Sequence, residues 1–494
     1  MYRTFLFLVF SLAVALVSCT SKEIKFTPST SEQFRPAYHF TPAKGWMNDP
    51  NGLIYIDGEY HLFFQYNPDS TVWGPMHWGH AVSKDLLNWE ELPIAIFPDS
   101  LGTIFSGSAV YDAENSSELG TKDNPPLVAI FTYHNALQEK AGAVDYQTQG
   151  LAYSLDKGKT WSKYEANPVL LNPGIRDFRD PKVTQITKTN GTKAWLMTLA
   201  VKDRIQFYES PNLKDWALLG EFGQGVGAHG GVWECPDLIP MKAPDGSQKW
   251  VLLVSMNPGG PQKGSATQYF IGDFAEGLFT PDDTMIRWLD YGPDNYAGVT
   301  WANLPADQDR NLWIGWMSNW DYAQVVPTKT WRSATTLPRE ISLFDVDGTL
   351  LLKSTPAREL EKLRKTTYSI SKTESLLPSS AVEILAEVTS DEAFSLTLSN
   401  ELGEEITVSK EMGLVTVNRQ KAGKINFNRD FAAAHSAPMS WKAESLRIFL
   451  DASSIELFVN DGELVLTSIL FPSSPWKKVT LNQGLDALQI MDLQ

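Results

Sequence analysis

From about residue 36 onward the chain reads as short apolar or alternating runs separated by turns, and no long helical period interrupts them. Leu53-Ile54-Tyr55-Ile56, then Asp57-Gly58, then Tyr60-His61-Leu62-Phe63-Phe64 predicts a β-hairpin on an Asp-Gly turn. The same texture predicts strands at 127–133, 194–201, 250–256, 268–271 and 312–317. Such a region, of roughly 300 residues, is too long for one sandwich and suits a propeller of four-stranded blades.

A weak internal repeat agrees with that reading. Ser83…Asp85…Trp89, Ser154…Asp156…Trp161 and Ser210…Asn212…Trp216 each follow a strand-like run and close on Trp, as one Asx-pinned turn per blade would. After Asp347-Gly348 the pattern changes. Thr355-Pro356 reads as an N-cap with Pro at the first helical position, and Leu360 and Leu363 give the short charged helix an apolar edge. Strands resume at 381–388, 394–398, 414–418 and 446–450, ending in a clear hairpin around Asn460-Asp461-Gly462. The predicted order is a propeller over 35–350, a linker helix over 351–366 and a β-sandwich over 367–494.

Composition narrows the ligand. The chain has 494 residues, 43% hydrophobic and 12% aromatic with 17 Trp, enough flat side chains to stack on sugar faces. A formal charge of −16 disfavours nucleic acid, which needs a basic footprint. At the start, Arg3 and an apolar run to Val17 have the form of a secretory signal over 1–18. Its Leu16-Val17-Ser18-Cys19 ending resembles a bacterial lipobox, which would make Cys19 the lipidated first residue of the mature protein. Residues 19–34 then read as a flexible tether, and the expected location is the bacterial cell envelope, with the membrane met only through the lipid. Cys235 is the other cysteine, so no disulfide is expected. No residue pattern assigns an oligomeric state.

Three motifs place an acid beside a proline or one residue from it: Asp49-Pro50, Asp180-Pro181 and Glu234-Cys235-Pro236. Proline fixes the local backbone and removes a donor, which helps hold an acid facing the propeller axis. Glycoside hydrolysis needs two carboxyls across the scissile bond, and a propeller can converge them from distant points in sequence. Arg179 would favour the ionised form of Asp180 and can reach a neighbouring carboxylate. Cys235 reads as a buried packing thiol. His77 and His80 share a His-Trp-Gly-His spacing but have no evident third metal ligand.

Trp46-Met47-Asn48-Asp49-Pro50-Asn51-Gly52, Phe178-Arg179-Asp180-Pro181 and Glu234-Cys235-Pro236, in that order, resemble the signature blocks of glycoside hydrolase family 32, the fructan hydrolases and invertases. Phe64 to Pro68, Trp73 to His80, Phe105 to Ser108 and Trp316 to Trp320 resemble further family blocks, and the likeness covers nearly all of the chain beyond the leader. The resemblance implies a five-bladed β-propeller followed by a β-sandwich, and retaining hydrolysis with no metal or organic cofactor. It implies Asp49 as nucleophile, Glu234 as general acid/base and Asp180 as transition-state stabiliser. Asn48, Gln65, Trp73, Ser108, Arg179 and Trp320 fall where the family lines its fructosyl subsite. The expected substrates are levan, inulin and sucrose, attacked from the chain end, because Trp73 to His80 and Asp145 to Gln149 resemble the exo-acting enzymes.

An endo-levanase or endo-inulinase of the same family is the nearest alternative. A non-catalytic fructan-binding lipoprotein would be expected to lack one of the carboxylates. A sialidase-type propeller would need an arginine cluster that the sequence does not show.

Overall fold

The computed structural model describes residues 32–370 and 373–493. The signal segment, Cys19 and all of the tether before Glu32 lie outside the described residues. Phe34, assigned to the tether from the sequence, is 6% exposed and packs edge-on to Phe471 at 5.2 Å. It is a core residue: its ring buries apolar surface that a flexible tether would leave in water.

Among the described residues, five antiparallel sheets form the propeller blades. Blade 1 has Gly45–Ile56 innermost, then Glu59–Asn67, His77–Ser83 and Glu90–Ile96. The inner strands of blades 2 to 5 are Thr103–Tyr111, Phe178–Thr187, Val232–Lys242 and Tyr296–Thr300. Each inner strand lies beside the next, and Tyr296–Thr300 lies beside Gly45–Ile56, which closes the ring. A second clasp joins the ends: Trp331–Arg332 runs parallel to Gly45–Ile56, where Gly45 donates its amide to the Thr330 carbonyl at 2.9 Å. The Asp57-Gly58 turn forms with both residues at positive φ, 51° and 86°.

The repeat marks the turn between the third and fourth strands of blades 1, 2 and 3. Asp85, Asp156 and Asn212 accept backbone amides of their own turns, and Trp89, Trp161 and Trp216 each donate Nε1 to a carbonyl three residues back. Blades 4 and 5 turn instead on Glu276-Gly277 and Asp347-Gly348, short enough to need no such pin.

The linker helix over 351–366 is corrected. Residues Thr349–Pro356 form the outer strand of blade 5, and the helix is a 3-10 segment, Arg358–Leu363, that follows Ala357 without a side-chain cap. An edge strand tolerates Pro356, and the Thr355 hydroxyl, free of capping, donates to the Asp461 carbonyl at 3.0 Å.

Among the described residues, two six-stranded sheets make the sandwich. Its core is the inward half of alternating strands, including Leu396, Leu398, Val408, Val417, Ile448 and Leu457. A buried ionic network ties it to the propeller. Arg339 of blade 5 contacts Asp290 at 3.0 Å and Glu456 of the sandwich at 2.5 Å. His39 bridges Glu456 at 2.9 Å and Asp451 at 2.7 Å. Arg419 of the sandwich meets Asp294 at 2.5 Å. Unpaired burial of any of these charges would cost several kcal/mol, on the order of 3–5, so the sandwich completes the propeller electrostatically.

Candidate active site

Every one of the five inner strands carries a register irregularity at the same level. On blade 1 Asn48 faces Gln65 and Pro50 faces Phe64, so Asp49 is the extra residue. The irregularities on blades 2 to 5 hold Phe105-Ser106, Asp180-Pro181, Cys235-Pro236 and Ala297-Gly298. A β-bulge leaves a residue unpaired and re-aims its side chain, and proline fits there because the position needs no ladder donor. Asp180, Cys235 and Ala297 all adopt positive φ, at 63°, 44° and 54°. The acid-proline motifs therefore all lie at bulges around one ring, with Asp49, Asp180 and Cys235 bulged and Glu234 the last paired residue before its bulge.

The bulges bring the carboxylates into one cluster. Asp180 Oδ2 accepts the Cys235 amide at 3.0 Å and lies 3.6 Å from its Sγ, which is itself 3.9 Å from Asp49 Oδ2. The Cys235 thiol, expected to be packing, sits between two carboxylates. Ser106 donates to Asp49 Oδ2 at 3.3 Å, while Asp49 Oδ1 is buried with no protein partner. Arg179 donates to Glu234 Oε1 from Nε at 3.1 Å and from Nη2 at 3.0 Å, and the buried Tyr296 hydroxyl donates to Oε2. Asp177 takes the remaining Arg179 nitrogen, Nη1, at 2.7 Å, with the Tyr146 hydroxyl 3.2 Å from the same Oδ1.

Electrostatics follow from this crowding. Burial, with the charge of Glu234 beside it, pushes Asp49 up to about 7, the Asn48 amide opposing. Burial also raises Asp180; Arg179 pulls it down and Glu234 pushes it up again. Burial alone would lower Arg179, but Glu234, Asp180 and Asp177 outweigh it and keep the guanidinium firmly charged. The crowding thus lets the cluster retain a proton near neutral pH, on Asp49 or Asp180.

The other expected residues divide. Asn48 is buried and accepts Trp46 Nε1 at 2.7 Å. Gln65 is opposite it, with a buried Nε2 that has no protein partner and so a donor left for a ligand. Trp73 is 40% exposed and edge-on to Phe105 at 6.0 Å. Trp320 stacks on Trp46 at 5.7 Å. Ser108 is corrected: its hydroxyl donates to the Pro181 carbonyl at 3.0 Å and accepts the Val183 amide at 2.8 Å, so it staples blade 2 to blade 3 and has no donor left for substrate. Ser106, two residues earlier in the same motif, is the hydroxyl at the carboxylates. His80 pairs with His61 at 3.0 Å, whereas His77 contacts the Pro75 carbonyl at 3.1 Å. Sequence reasoning missed Tyr296 and Asp177, and singled out Tyr146 only within the segment Asp145 to Gln149 and with no role; Asp177 adjoins a recognised motif, but Tyr296 has only its place on the fifth inner strand to mark it.

The profile described as "Glycosyl hydrolases family 32 N-terminal domain" matches residues 39–354, and "Glycosyl hydrolases family 32 C terminal" matches 357–490. The chain belongs to glycosyl hydrolase family 32. It is 45% identical to the levanase of Bacillus subtilis (strain 168) over 94% of this chain and 70% of that protein. It is 37% identical to the extracellular exo-inulinase of Aspergillus awamori over 91% of this chain and 92% of that one. The crystal structure of exo-inulinase from Aspergillus awamori superposes with a TM-score of 0.83, covering 93% of this chain and 97% of that one at 34% identity. The β-fructofuranosidase of Schwanniomyces occidentalis, complexed with fructosyl-erythritol, gives 0.81 over 94% and 98% at 32% identity. The family boundary at 354–357 falls at the end of blade 5, within the span assigned to a linker from sequence.

Proposed function

We propose that this family 32 glycoside hydrolase releases terminal β-D-fructofuranosyl units from fructans, levan and inulin, and from sucrose, with retention of configuration. The observation that carries the reading is the convergence of Asp49, Asp180 and Glu234 through Cys235 and Arg179. Asp49, with Oδ1 free of protein partners, attacks the anomeric carbon while Glu234 protonates the leaving oxygen. Water activated by Glu234 then releases fructose. Asp180 accepts ring hydroxyls as positive charge develops, Gln65 and Asn48 fix the unit, and Trp73 and Trp320 cover its faces.

Attack from the chain end is favoured by the exo-inulinase among the relatives and by the segment Asp145 to Gln149. There Tyr146 and Gln147 contact Asp177 and Arg179, so a segment expected from exo enzymes braces the acid/base. Products from levan, inulin and sucrose, resolved by length over time, test the proposal. Fructose as the only small product of levan and inulin in the first minutes, and fructose with equimolar glucose from sucrose, is expected; an early ladder of oligomers would make the enzyme endo-acting, and Asp49→Ala at wild-type rate would overturn the nucleophile assignment.

Lipid attachment at Cys19 and placement on the bacterial envelope are part of the same proposal, supported by Leu16-Val17-Ser18-Cys19 after an apolar run. Radiolabelled palmitate incorporated by the full chain and lost in Cys19→Ala is the expected result; equal labelling would refute it.

A further inference from the structure

A cavity of about 320 Å³ is lined by Asp203, Arg204, Gln224, Gly225 and His229. Its place in the fold is fixed by the strands that lead to it. Asp203 lies in the turn after Lys193–Val201 and Arg204 opens the next strand, Arg204–Ser210; the last residues of Lys193–Val201, Ala200 and Val201, pair with Arg179 and Phe178. Gln224, Gly225 and His229 belong to the loop that enters the inner strand Val232–Lys242 just before Glu234. Both walls are tied to the carboxylate cluster: Trp233 donates its amide to the Lys202 carbonyl at 2.6 Å, and Lys202 donates to the Asp177 carbonyl at 2.9 Å. The cavity therefore lies at the end of blades 3 and 4 that holds Arg179 and Glu234.

Its lining is preorganised and polar. The His229 ring stacks on Trp233 at 5.2 Å and 21°, and its Nδ1 lies 2.9 Å from Asp203 Oδ2. That fixes a flat ring with one face covered. Arg204 is steadied by Glu221 at 2.7 Å. The wall so combines a carboxylate acceptor, a guanidinium, a side-chain amide and a held aromatic face. The carboxylate repels an anion and the guanidinium a cation, whereas a neutral polyol satisfies both. A volume of about 320 Å³ lies at the small end of ligand sites, which run from roughly 300 to 1,000 Å³.

We propose that this cavity is a distal subsite that holds a fructosyl unit of the leaving chain, beyond the unit bonded to the scissile oxygen. The inference rests on the proposed fructan-hydrolysing reading and adds to it a preference for longer chains, with Asp203 and His229 as its specificity residues. The test is the ratio of kcat/KM for a five-unit fructo-oligosaccharide to that for sucrose, which has no unit to reach the cavity, measured on the full chain. In Asp203→Ala and His229→Ala the ratio is expected to fall about fivefold to tenfold, as loss of one net hydrogen bond would give, through KM rather than kcat. A ratio unchanged in both variants, or an equal loss on both substrates, would overturn the subsite. Wild-type protein that releases no fructose from any of these sugars would overturn the fructan reading instead, so the two failures are distinguishable.

Discussion

Arg179 grips Glu234 edge-on, with Nε and Nη2 at 3.1 and 3.0 Å from the same Oε1, while Nη1 is held by Asp177 at 2.7 Å. The guanidinium is thereby pinned between two carboxylates, and Asp177 sets the angle at which it meets the acid/base. Asp177→Ala is expected to lower kcat on the order of 10²-fold, because a displaced Arg179 no longer orients Glu234. Asp177→Asn, which keeps an oxygen acceptor for Nη1, recovers part of the loss. The pH profile of kcat/KM checks the role: a shifted limb in the Ala variant, restored in the Asn variant, marks positioning, whereas a uniform drop at all pH marks misfolding.

Asp49 is held in a site that favours its protonated form. Its carboxyl titrates near 7 in the folded protein and near 3.8 when free, so the folded state binds the extra proton between those values. Stability contributed by the protonated carboxyl is present at low pH and is lost as pH rises from about 4 to 7. Asp49→Asn, inactive but neutral, is expected to raise Tm at pH 8 and to leave it unchanged at pH 3. The gain is bounded by about 4 kcal/mol from the size of the shift. Calorimetry of both proteins across that range decides it; a gain independent of pH would mean that the ionised carboxylate is not what destabilises the fold.

Two serines in one motif should behave differently. Ser106→Ala removes the hydroxyl bonded to Asp49 and is expected to lower kcat/KM several-fold with little change in Tm. Ser108→Ala leaves the buried Val183 amide without its acceptor and is expected to cost about 1–3 kcal/mol of stability, with kcat/KM nearly unchanged. Paired thermal melts and steady-state kinetics separate the two.

That contrast also shows what the sequence carries. Strands such as Leu127–His134 and Asn311–Met317 were legible because period and turn residues are local, and the three acids were legible because proline beside an acid is local too. The bulge is not local: it exists only relative to a partner strand, so Asp49, Asp180 and Cys235 could be suspected but not recognised as equivalent positions. Ser108 was misassigned because its partners, Pro181 and Val183, lie on another blade. Tyr296 escaped because a buried tyrosine in a strand looks like core until Glu234 is placed beside it. The sequence overstates the linker because Pro356 suits a helix start and an edge strand equally.

The interface between the two domains carries its own titration. Burial alone would lower His39, but its hydrogen bonds to Asp451 and Glu456 prevail and push it up to about 9. Burial would raise Glu456, yet Arg339 and His39 hold it near 2. His39 is thus charged in the folded state at pH 7 and mostly neutral when unfolded, with a free value of 6.5. Its contribution is complete below pH 6.5 and is lost as pH rises through about 9, a span worth at most about 3 kcal/mol. Wild-type Tm is therefore expected to fall between pH 6.5 and 9.5. His39→Gln should melt lower at pH 6 and lose less over the same interval, because no proton is released there. The propeller inner strands contain no histidine, so kcat should follow a different pH course from Tm. Parallel slopes of Tm against pH in the two proteins would show that His39 enters the network uncharged, and that Arg339 is the cation that holds Glu456.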